Sequence, residues 1–126
     1  MREGVVLCVG EHERWWWGDE CSVPSFEFAF MEIREMFGNG PEPPIFFHSH
    51  PNNFPSMSKI DEQTCRDLLF ALKRSFMFIV VTEKTLWRWW CDSGSGQIFE
   101  TELFPSSEQG ARIISMLRQG SHYGNE

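Results

Sequence analysis

The stretch Pro44-Ile45-Phe46-Phe47-His48-Ser49-His50-Pro51 restricts the fold more than any other part of this chain. A short apolar, aromatic run of this kind reads as a buried β-strand, and two histidines stand two residues apart at its end. Side chains two apart on a strand share a face, so His48 and His50 can reach one metal ion. Asp61 lies eleven residues beyond His50, past a loop that carries Pro51 and Pro55. A loop of that length can return the chain to the strand's end. Two imidazoles and one carboxylate leave the fourth tetrahedral position to water, which marks a catalytic zinc rather than a closed structural one.

Each part alone has a plainer explanation. A His-x-His pair also occurs as exposed or core histidines. Ser58 followed three residues later by Asp61 matches a capping box, which satisfies free amides at a helix start. The capping and metal readings are compatible, because a cap would fix the position from which Asp61 reaches the ion. Six residue types at these spacings are hard to explain as coincidence.

Taken together, His48-Ser49-His50-Pro51, seven residues to Ser58, then Ser58-Lys59-Ile60-Asp61 resembles the H-[S/T]-H-P…S-x-x-D signature of the JAMM (MPN+) zinc metalloproteases. That family includes ubiquitin isopeptidases and compact prokaryotic members. Its remaining catalytic element is a glutamate heading an early strand, in a pattern like E-x-x-G-L-x-L-G. The segment from Glu3 to Gly10 resembles that strand, with Glu3 in the glutamate's place and Val6 where the family usually has glycine. The similarity spans about residues 3 to 104.

The resemblance implies a cytidine-deaminase-like α/β sandwich, a curved mixed sheet flanked by helices. It implies Zn2+ on His48, His50 and Asp61, with Glu3 as the proton-transferring base and Ser58 as donor to the oxyanion. The implied substrate is a peptide or isopeptide bond at the C-terminal tail of a ubiquitin-like or sulfur-carrier protein, or of its conjugates. No large insertion follows Asp61, as in compact prokaryotic relatives. Family members usually carry a helix ahead of the glutamate strand. Only Met1 and Arg2 precede Glu3 here, so the helix read at 107–119, or a partner, is expected to cover that face.

The order of elements is mixed α/β and reads as one domain, 1–120, with a tail at 121–126. Strands are expected at 3–10 and, after a turn, through Trp15-Trp16-Trp17. Phe26, Phe30, Ile33 and Phe37 fall at helical spacing over 26–37, and Gly38-Asn39-Gly40-Pro41 ends that helix. The histidine strand occupies 44–50. A helix follows at 59–73 with Cys65, Leu68, Leu69 and Leu72 on one face. Strands are then expected at 76–81, 86–90 and 97–104, and a final helix at 107–119. The clusters Trp15-Trp16-Trp17 and Trp87-Arg88-Trp89-Trp90 read first as core, with a docking surface as the alternative.

Composition removes several other classes. The 126 residues carry 11 Lys+Arg against 18 Asp+Glu, a formal charge of -7, which opposes non-specific nucleic-acid binding. No window approaches the ~18 apolar residues of a membrane span, and no basic-then-apolar signal opens the chain. The cytoplasm is the default location. Cys8, Cys21, Cys65 and Cys91 form no C-x-x-C pair, which excludes a zinc ribbon. Each sits in or beside an apolar run, where a free cysteine behaves as a small hydrophobe. A Cys–His nucleophile is poorly supported.

Glu11, Glu13 and Glu20 compete with Glu3 as base but sit in polar segments read as exposed, and Glu42 reads as a loop residue. His12 and His122 lack partners at metal spacing. Two other functions stay open. One is a catalytically inactive MPN-type scaffold or interaction module. The other is a zinc hydrolase of nucleobases or nucleosides, against which the missing H-x-E…P-C-x-x-C pattern argues.

Overall fold

The structure, a computed structural model, describes residues 1–38, 40–54, 56–102 and 107–120. Its strands are β1 (Gly4–Val9), β2 (His12–Trp17), β3 (Ile45–Ser49), β4 (Phe76–Val81), β5 (Leu86–Cys91) and β6 (Ile98–Glu100). Its α-helices are α1 (Val23–Phe28), α2 (Phe30–Phe37), α3 (Lys59–Leu72) and α4 (Glu108–Gln119). The strands form one mixed sheet in the order β2-β1-β3-β4-β5-β6. Only β3 and β4 run parallel among these neighbours, joined by the α3 crossover. The chain is thus a single α/β domain, as its sequence predicts.

Alternation along the strands divides the core between two faces. Val5, Leu7, Val9, Trp16, Phe46, Phe78, Val80 and Trp89 face α1, α2 and α3. Val6, Cys8, Trp15, Phe47, Met77, Ile79 and Val81 face Ile113, Ile114 and Leu117 of α4. Helix α4 therefore covers the second face, as expected of the helix read at 107–119. With both faces covered, all six residues of β4 are buried, which is why its sequence is a continuous apolar run. Each fully buried large side chain contributes about 1.5–3 kcal/mol. Trp16, Phe47, Phe76 and Ile79 are among them.

The tryptophans settle mostly in this core. Trp15, Trp16 and Trp89 are buried, whereas Trp87 alone of the six is exposed. Trp17 and Trp90 are half-buried and pack against the α4 side of the core.

One helix expected over 26–37 is two. The first begins at Val23, ahead of the apolar period, because its first turn carries cap and proline signals instead. Ser22 caps α1 with its Oγ accepting from Ser25 N, and Pro24 sits in the first turn, where a missing N–H costs nothing. The helix then breaks at Ala29 (φ -87°, ψ 6°). Bonds from Ala29 N to Ser25 O and from Ile33 N to Ala29 O still bridge the break. The two pieces reach different parts of the sheet. Phe26 meets Trp16 edge-on, and Phe37 packs on Phe46 and Phe76.

The predicted strand over 97–104 is short. Pairing with β5 ends at Glu100, and residues 103 and 104 lie outside the described residues, as does the tail at 121–126. Among the described residues, no helix is long and apolar enough to cross a membrane.

The first residue of β1 has no room for a side chain. A Cβ at Gly4 would stand 2.6 Å from the Trp17 ring and 2.9 Å from Leu117 Cδ2. Gly4→Ala should therefore push β1 away from Trp17 and α4, at a cost of about 1–3 kcal/mol. Chemical denaturation of the two proteins checks this; an unchanged midpoint would mean that the ring moves aside freely.

Candidate metal centre

His48 is set by strand pairing on both sides, opposite Val5 of β1 and Val80 of β4. His50 follows the strand and stays attached through a bond from its N to Val81 O at 2.9 Å. The chain then turns. Asn53 takes a left-handed conformation (φ 59°), its N–H donates to His50 O, and its Oδ1 accepts from Glu83 N at 3.1 Å. Asn52 Oδ1 accepts from Phe54 N. This turn brings the Phe54 carbonyl to 2.9 Å from His50 Nδ1.

A carbonyl only accepts, so Nδ1 carries the hydrogen and the Nε2 lone pair faces inward. That outer contact fixes the tautomer a metal ligand needs. The two asparagines after Pro51 were the available signal for this turn.

Asp61 arrives from the first turn of α3. Ser58 Oγ accepts from Asp61 N at 3.0 Å, and Asp61 Oδ2 accepts from Ser58 N at 3.1 Å. The capping box read from the sequence is therefore real, and it aims the carboxylate. Asp61 Oδ2 lies 3.1 Å from His50 Nε2, and Oδ1 lies 3.1 Å from His48 Nδ1. Two ligands at ~2.0–2.1 Å from a tetrahedral ion stand about 3.3 Å apart, and each separation, to its own carboxylate oxygen, is of that size. One ligand atom from each of His48, His50 and Asp61 lies within 4.8 Å of the others, and all three residues are buried.

The donor set itself calls for a cation. Both nitrogens of His48 face carboxylates, and the inward lone pair of His50 faces a third carboxylate oxygen. Acceptors opposed in this way need a proton or a metal between them. The described residues thus fit zinc in a site with three protein ligands.

Glu3 stands at the rim. Its Oε2 lies 3.3 Å from His48 Nε2, and its side chain is 43% exposed. The rival acids are placed elsewhere. Glu11, Glu20 and Glu42 are exposed, and Glu20 accepts from Trp17 N. Glu13 corrects its reading as an exposed residue: its side chain is only 15% exposed. Arg112, Gln109 and Trp15 all donate to it, because β2 lies beside α4. His12 is exposed, and His122 lies outside the described residues.

The charges follow from this geometry. Burial pushes the His48 imidazolium down, but its hydrogen bonds to Asp61 and Glu3 reverse that and raise its pKa to about 9. Burial likewise pushes Asp61 up, and the two imidazoles overcome it, holding the carboxyl far below its usual range. The thiols move the other way. Burial raises Cys8 to about 11 and Cys21 to about 12, and Cys65 rises through its contact with Cys91 and its burial. A thiol held at such values is not a nucleophile at neutral pH, which argues against Cys8, Cys21 or Cys65 as the thiol of a Cys–His pair.

Beside the site lies a cavity of about 220 Å³ between the sheet and the helices α1, α2 and α3. Phe26, Phe30, Ile33, Phe46, Leu68 and Phe78 line it, and His48 and Asp61 belong to its wall. Glu27 and Asp67, both exposed, also border it.

A family model described as prokaryotic homologs of the JAB domain matches residues 2–92. The match takes in Glu3, both histidines, Ser58 and Asp61. Neither the curated proteins nor the solved structures gave a match.

Ligation needs the neutral imidazole, so a metal must displace the proton on His48. Zinc affinity should strengthen as pH rises from 6.5 through about 9. Calorimetry near pH 7 in buffers of different ionisation enthalpy should show proton release on binding. Without metal, the stability that His48 supplies is full below its ordinary 6.5 and fades as pH climbs through about 9. That of Asp61 is full above its ordinary 3.8 and is lost as pH falls further. The metal-free melting temperature should fall between pH 6.5 and 9 while the zinc-loaded one holds. A flat metal-free profile would contradict the pairing.

Proposed function

The chain belongs to the prokaryotic homologs of the JAB domain, and on that premise we propose that it is a zinc-dependent peptidase or isopeptidase. Its substrate is a peptide or isopeptide bond at the C-terminal tail of a ubiquitin-like or sulfur-carrier protein, acted on in the cytoplasm. One observation carries the reading: three buried zinc-type ligands converge, with a half-exposed glutamate 3.3 Å from one of them. The three-layer order of helices, mixed sheet and helix suits the cytidine-deaminase-like sandwich that the family implies.

His48, His50 and Asp61 would hold the zinc. Bound there, it supplies Lewis acidity to the scissile carbonyl and to the attacking water. Glu3 would accept a proton from the attacking water and deliver it to the amine nitrogen as the C–N bond breaks. Its partial exposure lets it exchange protons with solvent. The Ser58 oxygen already accepts from Asp61 N, and its hydroxyl proton has no partner among the described residues. Ser58 can therefore donate to the oxyanion of the tetrahedral intermediate. The apolar cavity sharing His48 and Asp61 is large enough for one bulky side chain, since a cavity of ~150 Å³ holds benzene. Glu27 and Asp67 at its edge suit a tail that also carries positive charge. This supports a tail that offers an apolar side chain and a positive charge beside the metal site.

The test uses wild type, Glu3→Gln and His50→Ala, each assayed for zinc content and for release of a fluorophore amide-linked to the C-terminus of a ubiquitin-like protein. Wild type should bind about one zinc per chain and turn over. Glu3→Gln should keep the zinc and lose about 10²–10⁴-fold in turnover, and His50→Ala should lose both. Unchanged turnover in Glu3→Gln would defeat the assignment of the base. A zinc-loaded wild type inert on every such tail would favour the inactive MPN-type scaffold.

A further inference from the structure

We infer that Ser49, the residue between the two histidines, is the positioning residue that holds Glu3 at the metal centre. The inference rests on Glu3 being the base of the reading above. Alternation sends Ser49 to the opposite face of β3 from His48, so it cannot be a ligand of the same ion. It is fully buried nonetheless, and a buried hydroxyl needs partners.

Its partners are the backbone on either side of Glu3. Ser49 Oγ accepts from Gly4 N at 2.8 Å and donates to Arg2 O at 2.8 Å, with Gly4 O a further 3.4 Å contact. One side chain thus clamps the residue before Glu3 and the residue after it. The register agrees: β1 pairs with β3 at Val5 opposite His48, which sets Gly4 beside Ser49 one position outward. The ladder ends there, and the hydroxyl continues it by one step.

The alternative anchors are weaker or act elsewhere. Glu3 O accepts from Gly18 N at 2.9 Å, which ties the segment to the end of β2 but not to the histidine strand. Arg2 lies over the Trp17 ring and reaches Gly120 O at 3.4 Å, both exposed contacts. Without the hydroxyl, the Arg2 carbonyl and the Gly4 amide lose their bonds to β3. The glutamate would then sample positions away from the ion while both imidazoles stay in place.

Three readouts on Ser49→Ala and Ser49→Thr test this. Gly4 amide exchange, followed by NMR, should accelerate at least about tenfold in Ser49→Ala and stay near wild type in Ser49→Thr, which keeps the hydroxyl. With Co2+ in place of zinc, the Glu3 side-chain resonances should show paramagnetic shifts in wild type and in Ser49→Thr. Those shifts should shrink in Ser49→Ala although its metal content is unchanged. Turnover in Ser49→Ala should fall about ten- to a hundredfold, as for other residues that orient a metal site from outside. That loss should vanish in a Glu3→Gln background, because the clamp acts only through the carboxylate.

Should Ser49→Ala fail to fold, Ser49→Cys, of similar size with a weaker donor, takes its place. Unaltered Gly4 exchange and unaltered Glu3 shifts in the hydroxyl-deleted protein would overturn the inference. So would a turnover loss of the same size with and without Glu3. Exchange and paramagnetic shifts do not require hydrolysis, so an inert wild type would defeat the proposed function without deciding the clamp.

Discussion

The carboxylate of Asp61 is the group on which the arrangement depends, because one side chain meets two structural demands at once. As the third residue of α3 it accepts from the Ser58 amide and so closes the helix's first turn. The same oxygen faces His50, and the other faces His48. A buried carboxylate is costly unless every oxygen is paired. Here the helix start supplies an amide and favourable dipole, and the histidine strand supplies the rest. The cap therefore turns helix stability into ligand geometry. A displacement of α3 relative to β3 would carry the cap along with the helix and cost the imidazoles their partner.

The sheet places that helix. Parallel neighbours need a crossover of a dozen or more residues, and α3 is that crossover between β3 and β4. Its N-terminus must begin near the end of β3, where the chain leaves the sheet. In mixed and parallel sheets this carboxyl end is where sites collect. Strand β1 runs antiparallel to β3, so its first residues, not its last, lie at that same end. Glu3 is thereby brought beside His48, 45 residues later in the chain.

How much of this could be read in the sequence depended on how local the cause was. The histidine spacing, the Ser58 cap and the period of α3 each lie within one element, and each was legible. The all-apolar run of β4 was legible for the same reason, since burial on both faces leaves no polar position. Three features escaped, one of them because its cause lies across the chain and two because their local signals are not a hydrophobic period. The Phe54 carbonyl on His50 needs a turn whose conformation only the asparagines hint at. Glu13 looked solvated because nothing in its own strand shows that Arg112 and Gln109 of α4 lie above it. The true start of the first helix escaped because its opening turn, Ser22 to Ser25, carries cap and proline signals but no apolar period.

On the proposed function, the contrast in exposure between the three candidate ligands and Glu3, the candidate base, has a chemical reason. Ligands work best when rigid and dry, since low local dielectric strengthens their hold and fixed rotamers keep the geometry. His48 and His50 are each 7% exposed and Asp61 is 8% exposed. A proton carrier has the opposite need: it must reach water and leaving group in turn and recharge from solvent. A carboxylate 43% exposed at the rim meets that need, at the cost of lateral freedom. Freedom of the side chain is useful only if its backbone is fixed. The fixing therefore has to come from outside the solvent-facing side, which is where β3 turns the hydroxyl of Ser49. On the proposed function, a single strand would then hold the metal with alternate residues on one face and beyond its end, and hold the base from the other.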